Sequence, residues 1–163
     1  MHIDMTGKVA LVTGASRGIG AAVARAFREA NARMALAARD AEALDRLAGL
    51  DAVGGLASYV AAKHGIEGLT RVAALDYGSA GIRVNSIAPG PILTDNLIRA
   101  GEQAQQAAGM AMPLQRVGQP EEVAAATVWL CSEHAAFISG TTLTIDGGKL
   151  AGTPPFKVKA GPR

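Results

Sequence analysis

The chain has 163 residues, 49% of them apolar by the broad count and 18% charged, with a formal net charge of +2. One ordinary globular domain is expected, and so small a basic excess, with six aromatic residues, gives no stripe on which a phosphate backbone could lie, so nucleic acid is not an expected partner. The longest apolar runs, such as Val123 to Cys131, are well below the ~20 residues that cross a bilayer, and no basic-then-apolar leader opens the chain. A single cysteine, Cys131, forms neither an internal disulfide nor a metal cluster, so the expectation is a cytoplasmic protein with no membrane and no metal.

Lys8 to Thr13 is a short β-branched apolar run entered through Thr6-Gly7, the pattern of a strand buried on both faces. Gly18 to about Ala30 repeats apolar residues at helical spacing (Ile19, Val23, Ala26, Phe27), and Asn31 stands where a left-handed cap closes a helix. Arg33 to Ala38 reads as a second buried strand, and Asp40 is placed to cap a helix running to about Ala48. A long helix fits Ser58 to Tyr77, with Val60, Ile66, Leu69, Val72, Ala73 and Leu75 forming a broad apolar face and Gly65 and Gly68 suggesting close packing. Ile82 to Ala88 is another strand, ended by Pro89-Gly90-Pro91; the stretch to Gly118 has no firm period and is expected to be mobile. Pro120, with Glu121 and Glu122 behind it, opens a helix through Leu130, and Thr142 to Ile145 is a last strand before Asp146-Gly147-Gly148. Residues 1–148 are expected to be one domain and 149–163 a loose tail. Alternating strands and helices predict an α/β fold with a parallel sheet covered on both faces.

Between the first strand and first helix stands Thr13-Gly14-Ala15-Ser16-Arg17-Gly18-Ile19-Gly20. Glycines there let the chain turn off the strand, let backbone approach a pyrophosphate and let the helix pack close to the sheet, while the helix N-terminus presents N–H donors to phosphate. The second strand ends in Ala37-Ala38-Arg39, with no acidic residue to accept from a ribose 2′-hydroxyl. Arg39, and Arg17 within the turn, are instead candidate partners for a 2′-phosphate, which favours NADP over NAD.

Tyr59 and Lys63 are four apart on a predicted helix and so share one face. A phenol ionises near 10, and bringing it to 7 or 8 requires about 3 to 4 kcal/mol. An ammonium about 4 Å away supplies on the order of 4 kcal/mol at an effective dielectric of about 20, before desolvation is subtracted. The alternative for this pair is a helix-surface Tyr and Lys with no chemistry.

Taken together, Thr13 to Gly20, Tyr59-Val60-Ala61-Ala62-Lys63, Arg83 to Gly90 (RVNSIAPG) and Asp146-Gly147-Gly148 resemble the classical short-chain dehydrogenase/reductase family over nearly all of residues 5–148. The resemblance implies a Rossmann-like doubly wound sheet and an oxidoreductase that exchanges hydride between NADP(H), or NAD(H), and a ketone or secondary alcohol, with 3-oxoacyl or sugar-like substrates as a typical class. It implies that Gly14, Ser16, Arg17, Gly18, Ile19, Gly20 and Arg39 hold the dinucleotide. By the same resemblance Tyr59 is the general acid/base, Lys63 binds the nicotinamide ribose and lowers the tyrosine's pKa, and Pro89, Gly90, Ile92 and Thr94 face the nicotinamide beneath a substrate lid.

The chain departs from that pattern between the second helix and the tyrosine helix. Family members of about 250 residues place there a third strand, an Asn-Ala-Gly strand end, a long interface helix and the strand that carries the catalytic serine. Here Leu50 to Ala57 occupies the interval, no Asn-Ala-Gly occurs, and Ser58 cannot stand in for a serine from a separate strand. The fold is thus expected to be incomplete relative to the family, keeping strand pairs 2-1 and 6-7 of the order 3-2-1-4-5-6-7. Two missing strands at about 4.8 Å each leave a gap of roughly 14 Å between retained neighbours unless the sheet closes. A second reading follows: a catalytically dead remnant that at most binds nucleotide or pairs with other subunits. The resemblance assigns Pro120 to Asp146 to one of the family's two symmetric interfaces and leaves at most that one, so a homodimer is expected in place of a tetramer.

Overall fold

The computed structural model describes residues 3–15, 17–37 and 57–152, and within these it leaves out the side chains of 36–37 and 57–63. In chain order the elements are β1 (Val9–Thr13), α1 (Gly18–Glu29), β2 (Arg33–Ala37), α2 (Ala57–Tyr77), β3 (Ser86–Pro89), α3 (Asp95–Arg99), α4 (Glu102–Met110), α5 (Pro120–Cys131) and β4 (Thr142–Ile145). Short 3₁₀ turns follow α2, α5 and β4 at Gly78–Ala80, Glu133–Ala135 and Lys149–Ala151. The helix expected from Asp40 to Ala48 and the tail beyond 152 lie outside the described residues.

β1 pairs in parallel with β2, and β3 in parallel with β4, giving two separate two-stranded sheets. Among the described residues no strand joins them. The retained pairs are those expected from the sequence, and among the described residues the two sheets remain separate. α1 packs along α5 and joins the halves. The small residues Ala22 and Ala24 are buried on α1, and Val123, Ala124 and Val128 on α5, which lets the helices approach closely. Phe27 of α1 and Val128 of α5 form a core with Met5, Val12, Ala24 and Ala30. An Arg25–Glu121 ion pair at 3.3 Å borders this seam, and Lys8–Glu133 at 2.9 Å ties the residue before β1 to the 3₁₀ turn after α5.

Local geometry accounts for the element ends. Asn31 adopts φ +65 and closes α1 in the left-handed region, where an Asn side chain is tolerated and here reaches Asp4 Oδ1 at 3.1 Å. Pro120 occupies the first turn of α5, where its missing N–H costs nothing, and Glu122 reaches back to accept from the Gln119 N–H at 2.8 Å.

Four expectations are corrected. β1 is buried on one face only: Val12 points into the core, whereas Val9 and Leu11 are 66% and 69% exposed, with no described strand or helix over them. On α2 the apolar stripe is the bare one, with Leu69, Val72 and Leu75 exposed and Thr70 buried, its hydroxyl donating to Ile66 O. Gly65 and Gly68 meet open space where close packing was expected. The strand expected from Ile82 begins at Ser86, since Arg83 to Asn85 spend their hydrogen bonds on the loop before β4. In addition, the stretch from Ile92 to Gly118 contains the short helices α3 and α4 in spite of its lack of a sequence period.

Candidate functional site

The turn after β1 is shaped by its glycines. Gly14 (φ +66) and Gly18 (φ +53) occupy the left-handed region, which an L side chain enters only at a cost. A Cβ on Gly20 would lie 2.2 Å from Gly14 O, so the first turn of α1 rests directly on the strand end. A Cβ on Gly14 would meet nothing within 4 Å, which leaves the outer side of the turn open. Arg17 is the N-cap of α1 in extended conformation without a side-chain cap, Ile19 is half-buried in the first turn, and no acidic side chain stands there. The first turn of α1 thus carries no acidic side chain that would offset the partial positive charge of the helix end.

The second half of the site comes from β3. Pairing of Pro89 with Ile145 brings Gly90 against Asp146, where a Cβ would sit 2.7 Å from Asp146 Cα, so only glycine allows the two strand ends to meet. Asp146 turns its carboxylate to the Gly148 and Leu150 N–H groups at 2.9 and 2.8 Å, fixing the Gly147-Gly148 corner. Beyond Pro91, Ile92 is buried and bridges to Gly118. Thr94 then caps α3 and arrives at the glycine turn: a Cβ on Gly18 would lie 3.4 Å from Thr94 Cγ2. Residues 76 apart in sequence are thus brought close together.

Tyr59 and Lys63 lie on α2 as expected, one helical turn apart in its first half, with their side chains outside the described residues. Ser16 and Arg39 also lie outside them. Two features of the region were missed from the sequence. Arg83 and Asn85, read as strand residues, hold the loop before β4 through the Ile138 carbonyl. Arg116 forms a two-pronged ion pair with Glu122 at 2.6 and 2.8 Å, beside a 510 Å³ cleft lined by Ile92, Met112, Pro113 and Gly147. A charged residue and an amide at alternate positions of an otherwise apolar run (Arg83, Asn85) were the available signal. Among the described residues no group of three potential metal ligands converges, and no helix is long and apolar enough to cross a membrane.

Residues 8–49 match the family model described as short chain dehydrogenase, and residues 43–149 match the related model described as Enoyl-(Acyl carrier protein) reductase. The chain belongs to the short-chain dehydrogenase/reductase family. It is 46% identical over 100 residues to a cyclohexanol dehydrogenase of Acinetobacter, a match covering 61% of this chain and 39% of that protein. It is 43% identical over 103 residues to an A-factor type gamma-butyrolactone 1'-reductase of Streptomyces virginiae, covering 61% of this chain and 40% of that protein. The matched stretch thus spans about two fifths of these relatives. Among solved structures, a candidate 2-deoxy-D-gluconate 3-dehydrogenase of Agrobacterium tumefaciens with bound NADP superposes with a TM-score of 0.74 at 24% identity, over 91% of this chain and 98% of that one. A 4-hydroxyisoleucine dehydrogenase complexed with NADH superposes with a TM-score of 0.76 at 20% identity, over 90% of this chain and 100% of that one. The fold is the Rossmann fold of this family, and among the described residues its sheet is incomplete.

Proposed function

We propose that this short-chain dehydrogenase/reductase binds NADP(H) between the glycine turn and the Pro89–Thr94 loop. The observation that carries the reading is the meeting of Gly18 with Thr94, which sets the pyrophosphate-binding turn beside the loop expected to face the nicotinamide. The residues fit the group: the outer side of Gly14 is open, and the N-terminus of α1 faces it without a competing carboxylate. Arg39 and Arg17 favour NADP over NAD through the charge of a 2′-phosphate. When bound, the nicotinamide supplies or accepts the hydride. In the reductive direction the Tyr59 hydroxyl gives its proton to a ketone oxygen and regains it from water, while the Lys63 ammonium stabilises the phenolate and holds the ribose. The substrate class is a ketone or secondary alcohol, in line with the names of the relatives.

A second reading is favoured by the split sheet: the dinucleotide site survives while turnover is very low. Among the described residues no strand carries the family's separate serine, the interval before the tyrosine helix being only Leu50 to Ala57, and a misplacement of about 1 Å between reacting groups costs about 10²-fold. Assembly is proposed as a cytoplasmic homodimer through Pro120 to Asp146, and a monodisperse tetramer in sedimentation would contradict it. Fluorescence titration with NADPH and NADH tests the cofactor reading. NADPH binds more tightly, and Arg39→Ala removes the difference at a cost of about 1.5 to 3 kcal/mol, the range of a charged hydrogen bond. Equal affinities that Arg39→Ala leaves unchanged would overturn the NADP preference.

A further inference from the structure

In a continuous sheet, strand-to-strand hydrogen bonds would set the distance between the turn after β1 and the loop after β3. Here no described strand lies between them, and the halves are joined mainly through α1 packed along α5. α5 ends at Cys131, and the last carbonyls of a helix have no partner within it. Arg83 meets them. Its Nη1 donates to Leu130 O at 2.9 Å and to Ile138 O at 3.1 Å, and its Nη2 donates to Ser132 O at 3.2 Å. The same segment is stitched to the start of β4: Gly140 N–H donates to Val84 O at 2.7 Å, Asn85 Nδ2 donates to Ile138 O at 2.9 Å, and Asn85 Oδ1 accepts from the Thr141 N–H at 3.2 Å. A mechanical route therefore runs from the glycine turn through α1, α5 and the Arg83 guanidinium to β3, and on to Thr94.

We propose that Arg83 is a positioning residue that holds the two halves of the split sheet, and with them the two halves of the site, at one fixed separation. The link to the site rests on its reading as a dinucleotide site; the link to the separation does not. Lysine keeps the positive charge at the C-terminus of α5 but lacks the planar fork that meets three carbonyls, so Arg83→Lys separates geometry from charge. Arg83→Met removes both.

The test uses the full chain with Cys131→Ala and spin labels on Glu29→Cys at the end of α1 and Ser79→Cys after α2, both exposed positions. Electron–electron dipolar distances and NADPH affinity are read in parallel. The parent gives one narrow distance distribution; Arg83→Lys broadens it and weakens NADPH binding tenfold or more, and Arg83→Met does so further, with helical circular dichroism retained. If Arg83→Met does not fold, Arg83→Lys decides. A parent-like distribution in Arg83→Lys overturns the proposal, whatever happens to affinity. A broadened distribution with affinity within twofold overturns the link to the site. Failure of the parent to bind NADPH refutes the dinucleotide reading and leaves the separation to be judged by the distances.

Discussion

Glu122 carries both of its carboxylate oxygens on the Arg116 guanidinium, and one of them also accepts from the Gln119 N–H. The hydrogen bond from Arg116, then that from Gln119, hold its pKa down at about 2. A carboxylate depressed in the folded state contributes stability that is fully present above its unfolded value of about 4.3 and is lost as pH falls through the folded value. The pair is half exposed, so the effect is small. Thermal midpoints measured from pH 6 to pH 2 therefore fall less steeply in Glu122→Gln than in the parent, and parallel curves would contradict the assignment. At Gly20 the constraint is steric: the 2.2 Å approach to Gly14 O leaves no room for a methyl group. Gly20→Ala displaces α1 from the strand end, costing about 1 to 3 kcal/mol as overpacking does, and abolishes dinucleotide binding. Unchanged NADPH affinity in that variant would remove the turn from the site.

Among the elements, β1 and α1 show how a buried pattern and its burial separate. Phe27 packs in the core, and Phe27→Ala is expected to cost about 3 to 5 kcal/mol in a urea titration. Leu11, of the same apolar run that the sequence reads as doubly buried, is 69% exposed, and Leu11→Lys is expected to change stability by about 0.5 kcal/mol or less while reducing association through the open strand edge. A large loss of stability in Leu11→Lys would mean that the gap is filled in solution. Where local chemistry decides the outcome, the sequence was legible: Pro120 at a helix start, Asn31 at a helix end, Gly14 and Gly18 in the turn. Exposure was not legible, because Val9, Leu11, Leu69, Val72 and Leu75 carry a pattern suited to neighbours that the described structure does not contain. The Arg83 contacts were equally hidden, since they join residues 47 to 55 positions apart with no spacing to mark them.

Across the whole molecule, two half-sheets of known pairing are joined by helices, and the proposed dinucleotide site draws on one end of each. The approach of Thr94 to Gly18 supports the proposed binding half of the family's function. The chemical half needs more: Tyr59 must reach a carbonyl held by a hydroxyl donor that the family places on an intervening strand. Removal of such a donor from a preorganised site costs about 10² to 10³ in rate. The most direct test is NADPH oxidation by the purified 163-residue chain with a panel of ketones and 3-oxoacyl esters, with Tyr59→Phe as the control. The account predicts turnover at least about 10²-fold below the roughly 10 s⁻¹ of an ordinary enzyme. Turnover near 10 s⁻¹ that Tyr59→Phe abolishes would contradict it and place a replacement for the serine within Leu50 to Ser58.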